Sequence, residues 1–233
     1  AVEQQRPTLV IFHGLGDAGV HFWTTVLRAR RHFGRIVVPD LLGHGFSEEH
    51  PKLSAELIFA SLTEAMAVAL DGKPAVLFGN SLGGGLALAF AQVQPELVSR
   101  LVLVSPAGAP WNAEEQSAVQ DIFRMDVRAK ALDLVRRLHV RGPWYAHAIA
   151  RDVANNFRRP AMRHLVESLP RSPMQTPEMM QMLRAPSLLL WGRAEKLLPY
   201  SSVAFFREHL PGTVEEPEDW GHCPHLDRPF RLA

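Results

Sequence analysis

Short, continuous apolar runs punctuate the chain at about 8–12, 35–39, 75–79, 100–105, 186–191 and, more weakly, 213–216. Helix-forming stretches fall between them, near 18–31, 54–70, 82–94 and 200–209. Strands apolar on both faces, alternating with helices, predict a parallel sheet covered on both sides, an α/β fold. Ligands of such sheets gather beyond the carboxyl ends of the strands. Residues 109–184 stand outside the alternation. They are mostly helix-forming and are interrupted by Gly142-Pro143, Pro160, Pro170, Pro173 and Pro177; the longest helix expected there runs from Glu114 to Val140.

The run Ala75 to Phe78 passes through Gly79-Asn80-Ser81-Leu82-Gly83 into the helix-like stretch Leu86 to Gln94. As an isolated string, G-x-S-x-G carries little weight. Between a buried strand and a helix it marks a serine on a sharp, strained turn, with glycines that let strand and helix approach. Such a serine is inert without a base and an acid. Downstream, the apolar run Pro186 to Leu190 is followed by Trp191-Gly192-Arg193-Ala194-Glu195. Nearer the C-terminus, Asp219-Trp220-Gly221-His222-Cys223-Pro224-His225 supplies a histidine on a loop.

With these residues the chain resembles the alpha/beta-hydrolase family, from about Pro7 to Pro229. The resemblance implies an alpha/beta-hydrolase fold: a mostly parallel sheet with helices on both faces and an inserted helical cap. Residues 1–108 and 185–233 would form the core, and 109–184 a lid inserted after the family's sixth strand. It also implies Ser81 as nucleophile and His222, in G-H-x-P-H, as base. The acid of the family's W-G-x-x-D-x-x-x-P pattern falls on Glu195, where Asp is usual. Asp219 is the poorer acid, only three residues before His222, and His225 matches a histidine that is usually structural. His13-Gly14-Leu15-Gly16 resembles the H-G-x-G loop, so the backbone N–H groups of Leu15 and Leu82 would form the oxyanion hole. His13 is expected to brace that loop and Trp23 to anchor it. The family's opening antiparallel strands and closing helix are expected to be missing.

Gly14-Leu15-Gly16-Asp17-Ala18-Gly19 also reads as G-x-G-x-x-G, with Asp40 at the end of the next strand, as in a dinucleotide site. Against that stand the bulky His13 and the segment Asp40-Leu41-Leu42-Gly43-His44-Gly45-Phe46-Ser47, which resembles the hydrolase D-x-x-G-x-G-x-S loop. No cofactor and no metal is expected. H-E-x-x-H, paired cysteine ligands and an acidic calcium loop are absent from the sequence.

At 233 residues, 47% hydrophobic, the chain can bury one sizeable core. A formal net charge of +1 argues against nucleic acid as a main partner. No apolar stretch reaches membrane-spanning length and no leader is evident, so membrane insertion and export are not expected. The single cysteine, Cys223, fits a reducing compartment, the cytoplasm, and is read as a packing residue.

Six of the seven methionines, Met125, Met162, Met174, Met179, Met180 and Met182, fall in 109–184, where they can pack the lid or line an adaptable apolar pocket. Arg124, Arg128, Arg136, Arg137 and Arg141 cluster on or just after one expected helix, either as a solvated face or with one side chain turned inward to grip a carboxylate. A serine nucleophile restricts the family to attack on a carbonyl. The expected activity is therefore hydrolysis of carboxylic esters of small or medium acyl groups. Two alternatives stay open. Asn80 before the serine and Ser105-Pro106-Ala107-Gly108 look like the carbon–carbon hydrolases of meta-cleavage dienones, and the scaffold can also serve as a non-catalytic small-molecule binder.

Overall fold

The apolar runs pair edge to edge in a computed structural model that describes residues 6–125 and 127–232. Described in chain order, the core contains β1 (Thr8–Phe12), α1 (Trp23–Ala29), β2 (Arg35–Val37), α2 (Ala55–Leu70), β3 (Ala75–Asn80), α3 (Leu82–Val93) and β4 (Val98–Val104). Between β4 and the next strand come α4 (Ala113–Phe123), α5 (Arg128–Leu138), α6 (Ala146–Arg158), α7 (Pro160–Ser168) and α8 (Pro177–Gln181). The chain then returns to the sheet with β5 (Ser187–Leu190), α9 (Tyr200–His209), β6 (Gly212–Glu215) and the short α10 (Pro224–Asp227) and α11 (Pro229–Leu232).

The six strands lie in the order β2-β1-β3-β4-β5-β6 and every pairing is parallel. Alternate side chains of each strand feed two apolar layers. Val10, Phe12 and Leu77 face α2, α3 and the helices between β4 and β5. Leu9, Ile11, Val76 and Phe78 face Phe22 and Trp220 on the other side. Phe12, Phe22, Phe90 and Phe206 are completely buried, and each such ring contributes roughly 1.5–3 kcal/mol through apolar burial.

Local chemistry fixes the element ends. Ser54 caps α2 by accepting from the Leu57 N–H, and the helix stops at Asp71, whose φ of 49° cannot continue it. Asn112 and Glu115 form a reciprocal capping box on α4, and Pro160 opens α7. The single long helix expected over 114–140 is two helices. Arg124 adopts extended angles, and the Met125 carbonyl accepts from Arg158 Nε instead of a helical N–H. A tertiary hydrogen bond thus overrides local helix preference. The stretch 18–31 likewise divides into a 3₁₀ turn, Gly19–Phe22, and α1.

Helices α4 to α8 lie against the core and are joined to it by discrete bonds. Arg159 Nη2 donates to the Gly43 carbonyl, His164 Nδ1 to that of Leu53, and Val140 N–H to Asp227 Oδ2. Among the described residues no helix is long and apolar enough to cross a membrane.

Candidate active site

Strand β3 delivers Ser81 onto α3 with φ 55° and ψ −120°, angles an L-residue adopts only under constraint. The constraint is visible in the backbone. Ser81 N–H donates to the Val104 carbonyl at 3.1 Å, and the Ser81 carbonyl accepts from Gly85 and Ala107 at 3.1 and 2.9 Å. The flanking glycines have a steric reason. A Cβ on Gly79 would stand 2.4 Å from the Gly83 carbonyl oxygen, and one on Gly83 would stand 2.2 Å from that of Phe12.

His222 and Glu195 meet as a buried pair. His222 Nδ1–H donates to Glu195 Oε2 at 2.8 Å, with both side chains almost wholly enclosed. The other carboxylate oxygen accepts from the N–H groups of Leu197 and Leu198 at 2.7 and 3.2 Å. Burial alone would raise the Glu195 pKa, but His222 and the Leu197 N–H outweigh it and hold the group below its ordinary value. Glu195 is therefore ionised, and the extra methylene relative to Asp is accommodated by folding the carboxylate back onto its own loop. With Nδ1 engaged, His222 presents Nε2 as its free ring nitrogen.

The base-bearing loop is tied to the serine-bearing strand. Asn80, 1% exposed, donates through Nδ2 to the carbonyls of His222 and Val104 at 2.9 and 3.0 Å. Among the described residues Ser81 Oγ and His222 are not themselves hydrogen-bonded, a bond that commonly tightens only when substrate is present.

The opposite wall is the turn after β1. Gly14 packs against Ser81, with 3.4 Å from its would-be Cβ to Ser81 Cβ, and Leu15 and Leu82 line the same cavity as Ser81. Leu82 is the first residue of α3, so its N–H has no acceptor within the helix. His13 braces this turn as expected. Its Nε2 accepts from Leu41 N–H at 3.0 Å and its Nδ1–H donates to the Gly14 carbonyl. Trp23 does not anchor it: Trp23 is 62% exposed, while Phe22 is buried, stacked on His225 and edge-on to Phe78. The 3₁₀ turn ahead of α1 points the earlier ring inward.

Asp17, read in the sequence only as part of a misleading glycine motif, joins two loops. It accepts from His21 Nδ1 and from His225 Nε2 at 3.1 Å. Those bonds outweigh burial and keep its carboxyl far below the usual range. The rest of that motif is equally engaged, since Gly19 N–H donates to Asp40 Oδ1 at 2.7 Å. Asp219 faces away from His222 and pairs with Arg228 and Arg231. Cys223 is buried with its Sγ 3.8 Å from Asn80 Oδ1, and burial pushes its thiol pKa up, as befits a packing residue.

Ser81 opens into a cavity of about 390 Å³ that runs along α3 beneath α4, α7 and the turn before α8. The methionines divide. Met174 and Met179 line the cavity, Met125, Met162 and Met180 are buried in the core, and Met182 is half exposed. None of the clustered arginines lines it. Arg124, Arg128, Arg136 and Arg141 are exposed, and Arg137 bonds Asp133 and the Lys196 carbonyl.

The alpha/beta hydrolase fold family matches residues 7–229. A 2-hydroxy-6-oxononadienedioate/2-hydroxy-6-oxononatrienedioate hydrolase of Paraburkholderia phymatum is 26% identical over 94% of this chain and 81% of its own. The monoacylglycerol lipase ABHD6 of Homo sapiens is 24% identical over 98% of this chain and 73% of its own. Among solved structures, a 2-hydroxy-6-oxo-6-phenylhexa-2,4-dienoate hydrolase from Rhodococcus superposes with a TM-score of 0.82 at 20% identity, covering 97% of this chain and 87% of that one.

Proposed function

Because the chain belongs to the alpha/beta-hydrolase family, we propose that it is a serine hydrolase that cleaves carboxylic esters of small or medium acyl groups. The observation that carries this reading is the buried Glu195–His222 pair on a loop tied through Asn80 to the strand that presents Ser81. In the proposed reaction Ser81 Oγ attacks the ester carbonyl carbon while His222 Nε2 takes the hydroxyl proton. The N–H groups of Leu15 and Leu82 stabilise the oxyanion, each worth about a hundred- to thousand-fold in rate. Collapse breaks the carbon–oxygen bond, and the alcohol leaves with the proton from His222. Water, deprotonated by the same nitrogen, then attacks the acyl-enzyme, releases the acid and restores Ser81. Glu195 keeps the imidazole in the required tautomer and stabilises its charged form. Residues 109–184 act as the lid that roofs the acyl group.

A second reading, hydrolysis of a carbon–carbon bond beside a ketone, is favoured by the similarity to the two dienoate-type hydrolases and by Asn80 before the serine. The purified protein and its Ser81→Ala variant, assayed on p-nitrophenyl esters of increasing acyl length beside one dienone, decide between them. Serine-dependent ester turnover that exceeds dienone turnover is expected. Faster dienone turnover would select the second reading. Failure of a fluorophosphonate to label Ser81 would leave only a binding role.

A further inference from the structure

The cavity beside Ser81 is chemically one-sided. Phe59, Leu86, Trp111, Phe123, Val166 and Met179 dominate its wall. Its polar lining, apart from Ser81 itself, consists of neutral groups, with one exception. That exception is Glu56, in the first turn of α2; among the described residues neither Lys nor Arg contributes to the lining.

Glu56 is exposed while lining the cavity, so it stands where the cavity meets solvent. Its Oε1 accepts from Ser172 Oγ at 3.2 Å, closing the rim between α2 and the turn that precedes α8. Hydrogen bonds from its own backbone N–H and from Ser54 hold the carboxyl below its ordinary value, so the rim is negative at neutral pH. The start of α2, which would otherwise attract an anion, already has Ser54 as its cap and Glu56 in its first turn. A substrate carboxylate brought into this space would lose water, meet no cationic partner and face a like charge.

We propose that the cavity selects neutral esters with an apolar acyl chain, and that Glu56 at its rim is a specificity determinant that disfavours substrates bearing a carboxylate. The proposal rests on the serine-hydrolase reading. It separates the chain from relatives whose substrates are dioates, because such substrates would need a cationic group in the cavity wall.

The test compares p-nitrophenyl hexanoate with the p-nitrophenyl monoester of adipic acid, which matches its acyl length and adds a terminal carboxylate. In the wild type kcat/KM should favour hexanoate on the order of tenfold or more, the size expected for like charges several ångström apart in a partly screened site. The preference should shrink in Glu56→Gln, shrink further in Glu56→Lys, and weaken with added salt. Fluorophosphonate labelling of Ser81 in each variant establishes that the site is formed. Equal or faster turnover of the adipate ester by the wild type would overturn the proposal, as would a preference that Glu56→Lys leaves unchanged. Loss of Ser81 labelling in the wild type would remove the underlying hydrolase reading and this proposal with it.

Discussion

Asn80 donates its side-chain amide to the carbonyl of His222 across 142 positions of sequence, at 2.9 Å, and with a second hydrogen it holds the Val104 carbonyl. The residue immediately before the proposed nucleophile thus fixes the backbone that carries the proposed base. Asn80→Ala would leave the enclosed His222 carbonyl unpaired and the Val104 carbonyl with the Ser81 N–H alone. The expected cost is about 1–3 kcal/mol of stability, read from urea denaturation, together with a fall in kcat larger than the change in KM. A variant that keeps wild-type kcat would show that the tether does not position His222.

Glu195→Gln keeps the shape of the acid but removes its charge and offers the ring an ambiguous partner. By comparison with other triads, kcat should drop on the order of a thousand-fold or more, while Ser81 remains present and the fold intact by circular dichroism. A loss of less than threefold would mean that another group orients His222.

His44 gives the protein a defined acid sensitivity. The ring is 2% exposed; its Nδ1–H donates to the Leu42 carbonyl and its Nε2 has no partner among the described residues. Burial depresses its pKa from 6.5 to about 4. The unfolded chain binds the proton first, so stability is full above pH 6.5 and falls as pH drops towards 4. The loss amounts to about 3 kcal/mol at the lower end. His13, 5.4 Å away and also lowered by burial, acts in the same direction. Urea midpoints measured from pH 7 to pH 4 should fall, and His44→Gln should flatten the slope.

Gly16→Ala tests the turn that carries Leu15. Gly16 has φ 74°, and a Cβ there would stand 2.6 Å from the Phe157 ring of α6. The substitution should displace either the turn or the helix, and lower kcat at least tenfold if the Leu15 N–H stabilises an oxyanion. Combining it with Phe157→Ala should relieve the clash while retaining the backbone strain, so partial recovery is expected.

Much of this organisation was legible in the residues. The apolar runs at 8–12, 75–79 and 186–191 became β1, β3 and β5, because strands buried on both faces leave a strong sequence trace. Glu195 and His222 were singled out by their resemblance to the family's patterns after a strand end and on a glycine-flanked loop, and the two side chains are hydrogen-bonded in the structure. Other features depend on contacts between distant segments. The break between α4 and α5 reflects Arg158 reaching the Met125 carbonyl, and no proline or glycine announces it. The burial of Phe22 rather than Trp23 turns on the roughly 100° of helix phase that separates consecutive residues. Asn80 did leave a signal, a primary amide inside an apolar strand, which points to a buried partner. Glu56 left none, since a carboxylate after a capping serine is ordinary in any helix.

The Asp17 carboxylate grips His21 on one side and His225 on the other. Its consequence is a division of labour between floor and roof. The turn bearing Leu15 and the segment following His222 are clasped together, so the parts proposed to handle charge are joined to one another. The helices between β4 and β5 are seated mainly by apolar side chains and a few bonds to core carbonyls. Changes in α4, α7 and the turn before α8 can therefore reshape what is admitted without disturbing the groups proposed to react. Versatility in such a chain resides in its ceiling.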